Sequence, residues 1–239
     1  MIKFVYDINK DAQNWVETVK DIEPSWGIDY KKEIEMVSKD LKQKILKSNK
    51  KKAILLVKDY FKSLPYFSFK KEIIFSEIKA IEKVWGKKEK QFFEILEKIT
   101  RKPIFLDKFT AYFTTMFICP YDEKHYKWFM LSMWHSIPFQ ITTICHEILH
   151  FQFLYYYADF CKRKGLKKKQ IETLKESLTI LLNAEEFNNI ILSIDVGYPN
   201  HHALRKKILN TWQKNKNLYL KNENGFEFFL ERIIESVEL

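Results

Sequence analysis

The sequence predicts an α+β fold in which helices predominate, a small antiparallel or mixed sheet precedes one long central helix, and a helical subdomain closes the chain. Three observations predict it. Apolar residues recur three and four positions apart through most of residues 1–100, the period of a helix with one buried face. Two runs rich in Phe, Thr and Tyr follow Pro103, with the β-branched and aromatic composition that pleated strands favour. Only 5 Gly and 6 Pro occur in 239 residues, which favours long helices with short connections over a loop-rich β fold.

Within residues 1–100 the helical period is carried by DAQNWVETVK, IDYKKEIEMVSKDLKQKIL, KKEIIFSEIKAIEKVW and KEKQFFEILEKI, with Gly27, Pro65 and Gly86 between them as punctuation. The character changes at Pro103, so a helical N-terminal subdomain is expected over 1–100 and a second domain over 101–239. IFLDKFTAYFTTMFICP (104–120) reads as a strand or strand pair, PYDEKH (120–125) as a turn, and YKWFMLSMWHS (126–136) as a further strand. Pro138 suits the first turn of a helix, expected over about 138–161 until Gly165 breaks it. A helix over about 169–193, the loop DVGYPNHH (195–202) and helices over about 202–220 and 226–236 complete the reading.

Hydrophobic residues make up 46% and aromatic residues 16%, which excludes a disordered chain. The net charge of +10 comes mostly from lysine, and the clusters SNKKK (48–52) and CKRKGLKKKQ (161–170) read as solvated turns. No nucleic-acid motif accompanies them, so no specific nucleic-acid partner is expected. No run of 18 apolar residues exists, so no membrane span is expected; the most apolar stretch is interrupted by Pro138, Glu147 and histidines. Charges break up the N-terminal MIKFVYDINKDAQNW where a secretory leader needs an apolar run. Cys119, Cys145 and Cys161 form an odd set without CxxC spacing, as expected of reduced thiols in a cytoplasmic protein.

The stretch TTICHEILHFQF (142–153) holds the densest chemistry, because His146, Glu147 and His150 spell HExxH. Two imidazoles four apart lie one turn from each other on a single helix face. That spacing lets both bind one zinc ion and leaves the glutamate free to act as a general base. The histidines share their side of the helix with Phe139, Thr143, Phe153 and Tyr157, while Ile141, Ile144, Ile148, Phe151 and Tyr155 form the other. A helix apolar on both sides is enclosed, and enclosed His and Glu need partners. The competing reading makes both histidines hydrogen-bonded core residues with Glu147 solvated at the edge. The position of the motif, on a well-marked helix directly behind a strand, favours zinc. Cys145 points elsewhere around the helix and is not counted as a ligand.

A catalytic zinc needs a third protein ligand and an open position for water. No histidine follows at HExxHxxGxxH spacing, so the ligand must come from elsewhere, and the next predicted helix offers Glu172, Glu176, Glu185 and Glu186. Glu176 is preferred because it opens the apolar stretch ESLTILLN with Asn183 on its own face; Glu185, on the stripe of Leu174, Leu178 and Leu181, is the rival.

Through CHEILH, KESLT and the preceding strands, residues 104–202 resemble the zincin metallopeptidases, and specifically their gluzincin, thermolysin-like branch; residues 1–100 resemble nothing specific. The resemblance implies a zincin-like core in which His146, His150 and Glu176 bind zinc and Glu147 activates the attacking water. It implies that YKWFMLSMW is the sheet edge along which an extended peptide pairs. It also implies a Tyr or His facing the oxyanion, for which GYPNHH (197–202) offers Tyr198, His201 and His202. The plainer reading of that loop is a turn with an N-capping Asn200 and an exposed histidine pair. Family members often carry an Asp four residues after the glutamate ligand; here that position is Ile180, leaving Asn183 or Thr179 to support a histidine. The function so implied is zinc-dependent hydrolysis of a peptide or protein substrate. The alternatives are a zinc-binding regulatory or interaction module and a basic nucleic-acid-associated protein. Glu147 favours the first, because a structural zinc has no use for a base.

Overall fold

A computed structural model of the chain describes residues 1–21 and 37–236. The chain divides into two compact units, each discontinuous in sequence: Met1–Val84 with Lys108–Gln140, and Trp85–Asp107 with Ile141–Leu239. The expected single boundary near residue 100 gives way to this interleaving because the sheet takes strands from both segments of the first unit.

In the first unit β1 (Ile2–Tyr6) leads into α1 (Ile8–Asp21), followed by α2 (Lys39–Leu46), α3 (Lys50–Ser63), α4 (Phe67–Trp85), β2 (Phe109–Thr114) and β3 (Trp128–Ser132). The sheet runs in the order β1-β2-β3 and both pairings are parallel, with Ile2 opposite Phe109 and Thr110 opposite Trp128. This corrects the expected antiparallel or mixed sheet. A parallel neighbour needs a long crossover, and the crossover from β1 to β2 is made of helices, so β1 lies hidden at the head of a helical stretch. The run 104–120 supplies only one strand, β2, and the chain then travels through 115–127 before laying β3 in the same direction.

The outer edge of β3 is largely occupied by its own chain. Asp122 N donates to Trp128 O at 2.8 Å and Met130 N to Pro120 O at 3.0 Å. Ser132 O accepts from His135 N and from the Gln140 side chain, both at 3.2 Å. The strand expected to present a free edge to a peptide therefore has Trp128 O, Met130 N and Ser132 O already engaged.

The core of the first unit combines Trp15, Val16, Leu41, Ile45, Val57 and Phe61, whose i, i+4 pairs on α2 and α3 follow the predicted period. The portion of IDYKKEIEMVSKDLKQKIL before Val37, with Gly27, lies outside the described residues. Of SNKKK, Asn49 caps α3 by accepting Lys52 N at 2.9 Å, so the lysines form an exposed first turn of that helix rather than a free turn. Asp11, fully buried at the start of α1, ties that helix to the end of β2. It accepts Thr115 N and Thr114 Oγ1, each at 2.8 Å, and Tyr6 OH at 3.1 Å. Burial pushes the Asp11 carboxyl up, and the Thr115 and Thr114 donors oppose the shift.

The second unit contains α5 (Glu89–Thr100), α6 (Ile137–Arg163), which begins within the first unit, α7 (Lys168–Leu178), α8 (His202–Lys221) and α9 (Gly225–Glu235). On α6, Ile141, Ile144, Ile148 and Phe151 on one side and His150, Phe153 and Tyr157 on the other are all buried. Gln152 fixes the helix by donating to Lys102 O and Pro103 O at 3.1 Å, just beyond α5. Gly165, at φ 91, releases the chain from α6. None of the helices among the described residues is long and apolar enough to cross a membrane.

The helix expected over 169–193 stops at Leu178. Thr179–Asn183 and Glu185–Phe187 tighten into 3₁₀ turns, and an irregular segment follows. Polar side chains compete here with the helical ladder: Thr179 Oγ1 bonds back to Glu176 O at 2.9 Å, and Asn183 exchanges two bonds with the Asp195 backbone.

Replacing Asp11 with Ala strands the buried Thr115 amide and two hydroxyls, so Asp11→Ala is expected to lower the unfolding free energy by about 2–4 kcal/mol. Urea denaturation of the two proteins measures the difference; equal midpoints would show that Asp11 does not pin α1 to the sheet.

Candidate metal centre

His146 and His150 face the same side of α6 one turn apart, with ring centroids 4.2 Å from each other. Glu176 reaches them from the last turn of α7. Its Oε2 lies 3.2 Å from His150 Nε2 and 3.6 Å from His146 Nε2, and the three ligand atoms fall within 4.8 Å of one another. Ligands about 2.0–2.2 Å from a tetrahedral ion are separated by about 3.4 Å, so the spacing fits a common cation. The environment fits as well: His150 and Glu176 side chains are 2% and 5% exposed, and Glu176 Oε2 faces both imidazoles with no regular hydrogen bond to it among the described residues.

The other oxygen of Glu176, Oε1, is engaged by the buried Lys175 ammonium at 3.0 Å, and Lys175 in turn meets Glu172 at 2.7 Å. Glu172 thus faces the lysine and not the histidines. Glu185 and Glu186, beyond the end of α7, pair with Lys216. A wheel drawn through residue 193 places Glu185 on the Leu174 stripe, but the helix does not extend that far.

A carboxylate absent from the sequence reading holds His146. Asp195 Oδ2 lies 2.7 Å from His146 Nδ1, which fixes the ring and turns Nε2 toward Glu176. Asp195 Oδ1 accepts from Thr179 Oγ1 at 2.9 Å and from Arg205 Nη2 at 2.6 Å. Thr179 and Asn183, expected to support a histidine directly, act instead through Asp195. Arg205 reaches this cluster only because Gly197 has no side chain: a Cβ there would sit 2.5 Å from the guanidinium carbon. Gly197 also holds φ 67, a conformation glycine adopts without strain. The one advance signal for Asp195 was its place in a Gly- and Pro-bearing loop close after the ligand helix.

Electrostatics follow from this packing. Burial pulls His146 down, but Asp195, Glu176 and Glu147 outweigh it and set its pKa at about 10. His150 is held at about 3 by burial, keeping its imidazole neutral. Burial favours the protonated acid at Glu176, yet the neighbouring imidazoles and Lys175 hold its carboxyl well below the usual range. Glu147 is 7% exposed and raised by burial to about 7; its Oε2 makes no hydrogen bond among the described residues. Burial raises the Cys145 thiol well above its ordinary value, which keeps it protonated and out of the ligand set.

The loop 197–202 separates its candidates. His201 is buried, within electrostatic range of Glu176, and burial lowers its pKa. Tyr198 is half-buried with its ring edge-on to His201 at 5.8 Å, whereas His202 is exposed at the start of α8. Asn200 is exposed and does not cap α8; His201 occupies that position without a side-chain capping bond.

No protein-family model, curated protein or solved structure matches the chain.

Two outcomes are expected. A cation can use His146 Nε2 only after displacing the proton held there, so zinc affinity should rise about tenfold per pH unit from about pH 6 to about pH 8, below the His146 pKa. Chelator competition across that range tests it, and a flat profile would contradict the assigned protonation of His146. Asp195→Asn should weaken zinc binding by about 10–100-fold. Because it also leaves the buried Arg205 uncompensated, it should cost about 3–5 kcal/mol in thermal unfolding. Unchanged zinc affinity would remove Asp195 from the site.

Proposed function

We propose that this chain is a zinc-dependent metallopeptidase in which His146, His150 and Glu176 hold the ion and Glu147 is the general base. One observation carries the reading. Three ligand atoms converge, while Glu147, the remaining polar residue of HExxH, is buried with a carboxylate oxygen that makes no hydrogen bond among the described residues. A structural zinc is closed by four protein ligands; a set of three beside an uncommitted base suits a site open to water and substrate.

Zinc, when bound, polarises a carbonyl and brings water at the site to a pKa of about 7. Glu147 takes the proton of the water that attacks the peptide carbonyl and delivers it to the departing amine. Its own pKa of about 7 suits both transfers near neutrality. Asp195 steadies His146 throughout, and Lys175 restrains Glu176 so that only Oε2 faces the histidines. His201, with Tyr198 against its ring, is assigned to the negative charge that develops on the carbonyl oxygen. The substrate class is peptide or protein, and no membrane or nucleic-acid partner is invoked. The cytoplasm is the proposed compartment, since Cys119, Cys145 and Cys161 are all free thiols.

Glu147→Gln preserves shape and removes basicity. The variant is expected to fold, to bind zinc as wild type does, and to lose peptide hydrolysis by about 10²–10⁴-fold. The assay is a mixed peptide library read by mass spectrometry with zinc-loaded protein. Equal cleavage by both proteins, or none by either at full zinc occupancy, would leave the zinc-binding module as the better reading.

A further inference from the structure

A groove in the first unit is walled by aromatic rings and holds a single charge. Residues of α1, the end of α3, the start of α4 and the segment after β3 line it, and its volume is about 430 Å³. Ligand sites occupy about 300–1,000 Å³. Two of its indoles are fixed in advance. Trp15 Nε1 donates to Thr115 Oγ1 and Trp134 Nε1 to Thr115 O, both at 2.8 Å. One threonine, itself held by Asp11, thus orients both rings. Tyr60 packs against Trp15 with ring centroids 6.3 Å apart. Yet Trp134, Tyr66 and Phe69 remain 47%, 52% and 64% exposed, an arrangement from which folding gains nothing. Lys70 is the one charged residue among the described residues of the lining, and its ammonium lies 5.7 Å from the ring centres of both Phe61 and Trp134. It makes no hydrogen bond or salt bridge among the described residues. Asp11 acts on it only at longer range, and the Asp11 oxygens already accept from Thr114, Thr115 and Tyr6. Burial lowers the Lys70 pKa, so the groove carries an ammonium that has lost water without gaining a carboxylate.

We propose that this groove binds a small aromatic carboxylic acid, with its ring among the indoles and tyrosines and its carboxylate on Lys70. The site is independent of the metal centre and of the metallopeptidase reading. Three features select this ligand. Aromatic walls favour an aromatic guest over an aliphatic one, since ring faces and edges attract each other beyond the area they bury. A lone ammonium with no second cation matches the one negative charge of a carboxylate better than the two of a phosphate. The Tyr60 and Tyr66 hydroxyls, on the same lining, make no hydrogen bond among the described residues, which leaves them able to donate to the acid.

The experiment titrates the full chain calorimetrically with 2-naphthylacetate. Its uncharged counterpart is 2-naphthylacetamide, and its non-aromatic counterpart is decahydro-2-naphthylacetate. The aromatic acid is expected to bind saturably, about tenfold more tightly than either counterpart. Lys70→Met should bring the acid down to the level of the amide, while Lys70→Arg should keep most of the affinity. Lys62→Met, exposed in the last turn of α3, should change nothing. Zinc-loaded and chelator-treated protein should bind the acid alike. No saturable binding of the acid, or equal binding of acid and amide by the parent chain, would overturn the site even if Lys70→Met fails to fold. Equal binding of the decahydro acid would overturn the aromatic assignment. Affinity that follows zinc, or that survives Lys70→Met in a folded chain, would place the acid elsewhere and reject the groove.

Discussion

Charge buried on α6 must be answered by charge carried to it, and most of the second unit follows from that demand. An imidazole pair and a carboxylate on one turn of an enclosed helix cannot be left to themselves, since ionic groups withdrawn from water cost several kcal/mol each unless matched. Glu176 and Lys175 arrive together from α7, Asp195 from the loop beyond, and Arg205 from α8. Cations and anions alternate through this set, so no member faces only its own sign. The same set turns one carboxylate oxygen of Glu176 toward both imidazoles and leaves one of Glu147 without a hydrogen bond among the described residues.

The demand also explains the broken course of the chain after α7. A continuous helix would carry residues 179–193 away from His146, and Asp195 could not return to it. Two 3₁₀ turns, the Asn183 bridge and Gly197 at φ 67 bend the backbone back within a few residues. Each of these features is locally less favourable than regular helix. They persist because the ion pair they create is buried on both sides.

Local pattern in the sequence was enough for the elements that are local. The helices at 11–20, 70–85 and 88–99, the turn at 120–125 and the long helix opened by Pro138 all announce themselves through periodicity or turn residues, and the structure has them. HExxH was legible for the same reason, since its geometry is fixed by one helical turn. What escaped notice depends on residues far apart in the chain. β1 is five residues of IKFVY with no partner in view for a hundred positions, and the parallel sense of the sheet follows from it. The stretch 169–193 keeps an apolar rhythm through a helix that ends halfway, because Thr179 and Asn183 break it by bonding instead of by being Gly or Pro. Asp195 reaches His146 across 49 positions, so no spacing rule could reveal it. Its place at the head of the apolar stretch favours Glu176 over Glu185, and the ending of the helix at Leu178 separates the two more firmly.

The parallel pairing of β1 with β2 bears on how the chain is made. The strand that β1 pairs with begins at Phe109, so during synthesis about a hundred residues must follow β1 before the sheet can start to close. Over that interval α1, α2 and α3 can gather around Trp15 and Phe61, while Ile2, Phe4 and their backbone amides wait without a ladder. A newly made chain stalled before Phe109 would carry a short, greasy, unpaired strand, the kind of segment that chaperones bind and that seeds association between copies. Lys3 and Lys10 beside it supply charges of the sort that discourage such contacts until β2 appears.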